Sequence, residues 1–252
     1  MVTALILSGG TGTRMGTETP KQYIKVNHRP IIAYCLETIL SHEGIDAVQV
    51  VADEMWREDI LGCMADLRAG RKEEDRVKAG GENGTCGKFR GFSEPGRTRQ
   101  LSILNGLEDI RKYAADSDHV LIHDAARPLL SAGQITDCLG AVNGGHDGAL
   151  PVLPMKDTVY FSEDGAGITS LLERSKIFAG QAPELFVVGK YYEANRALLP
   201  ERILKINGST EPAVMAGMDI AMISGDEGNF KITTKADLER FQEIVCASNA
   251  KE

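Results

Sequence analysis

The sequence predicts an α/β fold built on a doubly wound, mostly parallel sheet, and three observations support this prediction. Short apolar runs alternate with longer segments of helical period along the chain, which is the pattern of parallel strands joined by helical crossovers. The chain has 252 residues, of which 42% are hydrophobic and 25% charged, as in a globular protein large enough for one sizeable core. The first apolar run leads directly into a glycine-rich loop, as the first strand of such a sheet often does.

The individual elements follow from these patterns in chain order. Strands are predicted at Thr3 to Leu7, Ala47 to Ala52, His119 to His123, Gly148 to Val152 and Asp219 to Ile223. Helices are predicted at Pro30 to Ser41, Trp56 to Leu67, Arg99 to Tyr113, Ser131 to Asn143, Val188 to Leu198 and Lys235 to Ala247, with Thr234 as the N-cap of the last one. No sharp change of composition divides the chain, so we interpret residues 1–252 as a single domain.

Two segments interrupt the alternation. Residues Ala69 to Gly96 are rich in Gly, Lys, Arg and Glu and have almost no periodic apolar positions, which predicts a long surface loop. Residues Lys156 to Gln181 begin with a strand-like run, turn through Glu163 to Gly165 and return in a second apolar run. We interpret this second segment as a hairpin arm that projects from the sheet.

Composition excludes several classes of function. The formal net charge of −8 disfavours broad binding to nucleic acid or to anionic membranes, because such partners require a basic surface. No apolar run approaches the roughly 20 residues that span a bilayer, and no leader pattern is visible, so a cytoplasmic location is expected. The five cysteines lack metal-ligand spacing, which indicates reduced thiols, several of them buried.

The stretch from Leu5 to Tyr23 predicts a phosphate-binding loop. Three glycines, Gly9, Gly10 and Gly12, follow the first strand. Glycines let the backbone approach an anion closely, and consecutive N–H groups can bind phosphate oxygens. Arg14 adds a permanent planar charge and Lys21, after Pro20, adds a point charge.

Two commoner phosphate loops do not fit this stretch. A Walker A loop requires Lys after its last glycine, whereas Gly12 is followed by Thr13 and Arg14. The dinucleotide fingerprint fails because Met15 occupies the position of its third glycine. An NAD-dependent dehydrogenase is therefore the least favoured reading.

Later motifs add charged residues at the ends of predicted elements. Asp124 follows a buried strand, where a carboxylate is well placed to hold a Mg²⁺ ion that bridges phosphate oxygens; the alternative is that Asp124 caps the next turn or pairs with Arg127. Arg97 and Arg99 precede a predicted helix, whose start suits an anion. Lys231 lies in a strand-like stretch and, taken alone, reads as an exposed lysine.

Taken together in order, these motifs resemble the cytidylyltransferases that act on small polyol phosphates. The motifs are LSGGTGTRMG with PKQY, SILNGL, HDAARP, KDT, GQAPELF and NFKITTKADL. The resemblance runs from Ala4 to about Glu243 and implies a Rossmann-like fold of the nucleotide-diphospho-sugar transferase type. It also implies CTP and a polyol phosphate as substrates, Mg²⁺ as cofactor, and a homodimer that exchanges arms formed by residues 152–181.

The resemblance implies a role for each matching residue. The catalytic residues would be Arg14, Lys21 and Lys231. The nucleotide-binding residues would be Leu7, Ser8, Gly9, Gly10, Gly12, Thr13, Gly96, Ser102 and Ala125. The residues that bind the polyol phosphate would be Arg127, Thr158, Arg174 and Lys231, with Thr158 and Arg174 reaching across the dimer. Asp124 would bind Mg²⁺.

The acceptor stays open between two polyol phosphates. The HDAARP motif favours 2-C-methyl-D-erythritol 4-phosphate, the leading acceptor. Ribitol 5-phosphate is the alternative, because Gly180 resembles the ribitol enzymes and Tyr160 replaces a cation usual in the erythritol type. A sugar-phosphate nucleotidyltransferase that uses another nucleotide, and a nucleotide-binding subunit without activity, are weaker alternatives.

Overall fold

The structure is a computed structural model that describes residues 1–10, 19–69 and 87–249. Its strands are β1 Val2–Leu7, β2 Lys25–Val26, β3 Arg29–Pro30, β4 Ala47–Val51, β5 Phe89–Ser93, β6 His119–Asp124, β7 Gly148–Pro154, β8 Tyr160–Phe161, β9 Ser170–Leu171, β10 Phe178–Gly180, β11 Glu184–Val187 and β12 Ile220–Ser224. Its helices are α1 Ile31–Ser41, α2 Arg57–Ala69, α3 Arg99–Ile110, α4 Ala132–Asn143, α5 Val188–Arg196, α6 Glu211–Met215 and α7 Lys235–Asn249.

The main sheet confirms the predicted fold class. Within the described residues it has eight strands, seven of which follow the order β10-β7-β11-β6-β1-β4-β5. The eighth strand, β12, pairs with one edge of β7, and β10 and β11 share the opposite edge. The β1 strand is parallel to both β4 and β6, β5 is parallel to β4, and β12 is parallel to β7. Only β10 and β11 are antiparallel to their neighbours. The chain therefore forms a Rossmann-like, mostly parallel α/β sheet.

Helices cover both faces of this sheet, so it is doubly wound. Alternate residues of β1 point to opposite faces, as strand geometry requires: Ala4 and Ile6 join a core with α1, α2 and α4, whereas Leu5 joins a core with α3 and α5. A smaller third cluster, built around Phe241, packs α7 against the short β2–β3 hairpin.

Three strands of the main sheet, β5, β10 and β11, were not predicted from the sequence, and neither was the short β2–β3 hairpin. Strand β5 lies inside the segment that we predicted to be a surface loop, and that part of the prediction is wrong; residues 70–86 of the segment lie outside the described residues. β5 pairs with one neighbour, β4, at the edge of the sheet, so it does not need the continuous apolar pattern of a central strand. Strands β10 and β11 have three and four residues, too few to establish a periodicity.

The segment that carries Lys231 also differs from its prediction. Residues 225–234 form no strand, and Ile232 is instead held by a bond from its N–H to the carbonyl oxygen of Ala126 at 2.9 Å. Thr234 does cap α7, because its Oγ1 accepts from the N–H of Asp237 at 3.2 Å. The Asp237 carboxylate accepts in return from the N–H of Thr234 at 2.8 Å, which completes a reciprocal capping box.

The predicted hairpin arm is present. Strands β8 and β9 pair with each other in a separate two-stranded sheet. The Asp164 carboxylate caps the turn between them by accepting from the N–H groups of Ala166 and Gly167 at 2.8 and 3.0 Å. Strand β10 then returns the chain to β7.

None of the helices that the structure describes is long and apolar enough to cross a membrane. Within the same residues, Cys35, Cys63, Cys138 and Cys246 are free thiols, and Cys35 and Cys138 are buried. Cys86 lies outside the described residues.

Candidate active site

The predicted nucleotide and metal residues meet because three parallel strands end side by side. Leu7, the last residue of β1, pairs in register with Val51 of β4 and with Asp124 of β6. The pairing continues one step further, since the N–H of Ala125 donates to the carbonyl oxygen of Leu7 at 3.1 Å. The glycine loop after β1 and the carboxylate at the end of β6 therefore share the carboxyl edge of the sheet, where α/β folds bind ligands.

The described part of the glycine loop is Ser8, Gly9 and Gly10. Gly9 packs directly on Pro95, so closely that a Cβ atom at position 9 would lie 2.5 Å from the Cβ of Pro95. Only glycine fits this contact without a shift of the backbone. Gly12 and Thr13, predicted to bind the nucleotide, and Arg14, predicted to be catalytic, lie outside the described residues.

Gly96 and Ser102, predicted to bind the nucleotide base, bond to each other. The N–H of Gly96 donates to the Ser102 Oγ at 2.9 Å, and that hydroxyl donates to the carbonyl oxygen of Thr98 at 3.1 Å. A Cβ at position 96 would collide with Leu101. In the structure, Ser102 therefore shapes the loop before α3, and its contact with a base stays a prediction.

Asp124 is a buried carboxylate at the centre of a cluster of partly buried cations. Its Oδ1 accepts from the Nε of Arg99 at 3.0 Å, and its Oδ2 accepts from the Nζ of Lys231 at 2.9 Å. The Nε of Arg127 lies 3.8 Å from Oδ2. Three positive charges thus surround one carboxylate beside the glycine loop, an arrangement that attracts a polyanion.

The charges of this cluster are strongly coupled. Burial alone would raise the pKa of Asp124, but Arg99, then Lys231 and Arg127, outweigh it and hold that pKa well below its usual range. The neighbouring Glu184 is also buried, and its pKa is raised by that burial. Because Asp124 stays ionised at any ordinary pH, the cluster keeps its cations in place without ligand.

His123 precedes Asp124 and is fully buried. Burial lowers the pKa of its imidazole to about 4, so the ring is neutral at physiological pH. Its Nε2 lies 2.9 Å from the carbonyl oxygen of Arg127, and a carbonyl only accepts, so the proton is on Nε2. His123 thus anchors the turn after β6 and does not supply a general base.

Hydrogen bonds from side chains to the backbone of the preceding loop position Lys231. The Nη1 of Arg127 donates to the carbonyl oxygen of Asn229 at 2.7 Å. The side-chain amide of Gln181 donates to the carbonyl oxygen of Asp226 and accepts from its N–H, both at 2.9 Å. Arg127, predicted to bind the polyol phosphate, is used in the structure to hold this loop; its contact with substrate stays a prediction.

Thr158 and Arg174, also predicted to bind the polyol phosphate, lie on the base of the exposed arm. The Nη1 of Arg174 donates to the carbonyl oxygen of Lys156 at 2.7 Å, and Thr158 is exposed. Lys156 forms an ion pair with Glu227, in the loop that leads to Lys231. The structure thereby joins the base of the arm to the Lys231 loop.

The predicted Mg²⁺ site contains one carboxylate, that of Asp124. Among the residues that the structure describes, no group of three or more His, Cys, Asp or Glu side chains could hold a metal ion. Mg²⁺ needs only one or two carboxylates when phosphate oxygens and water supply its other ligands. Asp124 is therefore compatible with an ion whose other ligands are phosphate oxygens and water, and its binding of Mg²⁺ stays a prediction.

Two residues of the site were not singled out by the sequence. Arg99 was recognised only as a cation near a helix start, and nothing in the sequence distinguished it from Arg97. Gln22 was part of the PKQY motif without a role of its own. What distinguishes both residues is a polar side chain at a position that the fold buries wholly or in part. That burial results from the packing of the loops, which the sequence pattern does not show.

The comparisons with known proteins agree along the whole chain. A family model described as 2-C-methyl-D-erythritol 4-phosphate cytidylyltransferase, IspD, matches residues 2–247. The chain is 31% identical to the 2-C-methyl-D-erythritol 4-phosphate cytidylyltransferase of Rubrobacter xylanophilus, over 97% of this chain and 94% of that protein. It is 30% identical to the ribitol-5-phosphate cytidylyltransferase of Streptococcus agalactiae serotype III, over 96% and 95%.

The solved structures support the fold independently. A 4-diphosphocytidyl-2C-methyl-D-erythritol synthase from Anaerococcus prevotii superposes with a TM-score of 0.74, over 97% of this chain and 95% of that one, at 22% identity.

Proposed function

The chain belongs to the 2-C-methyl-D-erythritol 4-phosphate cytidylyltransferase family, and on that premise we propose that it transfers CMP from CTP to 2-C-methyl-D-erythritol 4-phosphate. Pyrophosphate is the other product, and the reaction serves isoprenoid precursor synthesis. The observation that carries this proposal is the cluster of Arg99, Arg127 and Lys231 around Asp124, next to the glycine loop. A site that gathers three cations at the carboxyl edge of the sheet is suited to a triphosphate and a second phosphate.

The chemistry needs charge neutralisation more than it needs a base. A phosphate oxygen of the acceptor attacks the α-phosphorus of CTP, a new P–O bond forms, and the bond to the pyrophosphate leaving group breaks. Phosphate monoesters lose their second proton near pH 6, so the nucleophile is already ionised at neutral pH. Lys21 and Lys231, together with Arg14, would stabilise the negative charge that spreads over the transferred phosphoryl group.

We propose Mg²⁺ as the cofactor. Asp124 and the phosphate oxygens of CTP would hold it, and it would neutralise charge on the triphosphate. Lys231, whose side chain is 31% exposed beside Asp124, would contact the acceptor phosphate. We also propose a cytoplasmic location, which the free thiols of the described residues support.

A homodimer that exchanges arms is supported by the surface of the arm. Large apolar side chains are exposed there: Tyr160 by 55%, Phe161 by 46%, Ile168 by 71%, Leu171 by 65% and Phe178 by 43%. Contiguous exposed apolar side chains usually mark an interface.

We expect the chain to sediment as a dimer and Leu171→Asp to shift it towards monomer, because a charge would then be buried in the contact. The control is Met222→Asp, since Met222 is also a largely exposed apolar side chain, at 54%, but lies on β12. A wild-type chain that sediments as a monomer at micromolar concentration would contradict the arm exchange.

Ribitol 5-phosphate is a second candidate acceptor, because the relatives named for the two acceptors match at 31% and 30% identity. We expect pyrophosphate release with CTP, Mg²⁺ and methylerythritol phosphate to exceed that with ribitol phosphate by about tenfold or more in kcat/KM, the discrimination that one well-placed hydrogen bond supplies. Replacing CTP by ATP, GTP or UTP tests which nucleotide base the site accepts. A reversed preference would assign the chain to the ribitol reaction, and no release with either acceptor would overturn the proposal.

A further inference from the structure

Gln22 is a buried polar side chain next to Lys21. It lies in the one-turn 3-10 helix Lys21–Tyr23 and is 3% exposed. Its Nε2 lies 2.7 Å from the carbonyl oxygen of Ser8 and 2.7 Å from that of Gly10. Carbonyl oxygens only accept, so the two N–H groups of this amide nitrogen must face them.

These two bonds determine which side of the glycine loop faces outward. A trans peptide holds its C=O and N–H groups in opposite directions. Because the carbonyl of Ser8 points to Gln22, the N–H of Gly9 in the same peptide points away from it. The same amide also binds the carbonyl oxygen of Gly10. The side chain of Gln22 thus holds two carbonyl oxygens of the loop on its own side and leaves the N–H of Gly9 directed away from it, as a backbone donor to an anion must be.

Tyr23 holds the same peptide from a second direction. Its hydroxyl donates to the Ser8 carbonyl oxygen at 3.1 Å and accepts from the Ser8 Oγ at 2.8 Å. Burial raises the pKa of Tyr23 to about 12, so the phenol remains a donor. Its ring stacks on Trp56 with the centroids 4.3 Å apart and an interplanar angle of 11°. Trp56 is the one tryptophan of the sequence, which makes its fluorescence a reporter of this contact.

We propose that Gln22 is a positioning residue for the triphosphate: its amide orients the Ser8–Gly9 peptide so that the N–H of Gly9 faces the phosphates. This inference rests on the proposed function and extends it to a residue that need not touch substrate. It also explains why a polar side chain is buried beside Lys21, where an apolar residue would pack without cost in desolvation.

The test is Gln22→Met, which keeps the length of the side chain and removes the donor. We expect the dissociation constant for inorganic tripolyphosphate, measured by calorimetry, and the KM for CTP to rise about tenfold or more, because two bonds that orient the loop are lost. The KM for the polyol phosphate should stay within about twofold, since the loop does not hold the acceptor. The emission of Trp56 should respond to tripolyphosphate in the wild type and respond less in the variant.

The matched control is Gln134→Met. Gln134 is equally buried, at 5%, and neither its Nε2 nor its Oε1 has a hydrogen-bond partner within the described part of the chain. It lies on α4 and forms none of the hydrogen bonds to the glycine loop that the structure describes. This variant should bind tripolyphosphate and turn over CTP as the wild type does.

Gln22→Glu tests the same bonds by a second route if the methionine variant folds poorly. An ionised carboxylate would repel both carbonyl oxygens, whereas a protonated one regains an O–H donor. At pH 8 this variant should therefore bind tripolyphosphate about tenfold or more weakly than the wild type does. An affinity equal to that of the wild type at pH 8 would oppose the proposal.

The outcomes separate this inference from the proposed function. If the wild type releases pyrophosphate and Gln22→Met binds tripolyphosphate and CTP unchanged, the positioning role is overturned and the function stands. If the wild type binds tripolyphosphate tightly, Gln22→Met weakens that binding, and no acceptor supports release from CTP, the positioning role stands and the function is overturned.

Discussion

Replacing Lys231 by methionine is expected to lower kcat/KM for the polyol phosphate about a hundredfold or more while the chain remains folded. The Nζ of Lys231 is 2.9 Å from Asp124 Oδ2, and its side chain is still 31% exposed, so it can reach a ligand in the cleft. One charged donor aimed at a developing negative charge contributes roughly 3 kcal/mol to the barrier. Steady-state pyrophosphate release measures the loss, and a thermal melt shows that the fold is retained.

Two further variants make this result specific. Lys190→Met removes another lysine that is paired with an aspartate, Asp147, but one that is 58% exposed and outside the site; its activity should stay within about twofold, as for a surface pair. Lys231→Arg keeps the charge but changes the shape of the donor, so its kcat/KM should lie between those of Lys231→Met and the wild type. Turnover of Lys231→Met near the wild-type rate would refute the catalytic role.

Asp124→Asn is expected to cause the largest loss of stability of any single substitution in the site. The change leaves Arg99 and Lys231, whose side chains are 32% and 31% exposed, without the charge of the buried Asp124. The expected cost is about 3 kcal/mol, the lower end of the range for breaking a fully buried ion pair. For a chain of this size that corresponds to a melting temperature lower by roughly 10 °C. Activity should be lost as well, since the proposed Mg²⁺ ligand is removed.

The control for Asp124→Asn is Asp109→Asn, which breaks the exposed pair with Lys112 at 2.6 Å and should cost less than about 1 kcal/mol. Arg99→Leu added to Asp124→Asn should recover part of the lost stability, because one unpaired and partly buried charge is then removed. An Asp124→Asn chain that melts within about 2 °C of wild type would mean that the cluster is solvated and that its charges are not coupled.

The sign of the pH dependence follows from the pKa of Asp124. Its folded pKa is held below its unfolded value of about 3.9, so its contribution is fully present above that unfolded value and is lost as the pH falls through the folded pKa. The difference in stability between wild type and Asp124→Asn should therefore be constant from pH 5 to 8 and shrink below about pH 4. Urea denaturation at pH 7, 5 and 3.5 measures it.

Much of the fold could be predicted from periodicity. Each of the five predicted strands is present, and β1 and β4 begin or end within one residue of their predicted bounds, because central strands and amphipathic helices carry long, regular apolar patterns. Strand β5 could not be predicted in the same way. It pairs with only one neighbour at the edge of the sheet, and its five residues include Arg90 and Gly91.

For the site, the sequence by itself determined which residue types are available: the glycines after the first strand, Lys21, Asp124 at the end of a buried strand, and Lys231 near the C-terminus. Their order also identifies the family. Only the tertiary structure decided that Lys231 and Arg99, 107 and 25 positions from Asp124, bond to its two carboxylate oxygens. It also decided that Gln22 faces inward beneath the glycine loop. The physical reason is that periodicity specifies which face of an element is buried, whereas contacts between distant loops depend on the order and register of the strands that carry them.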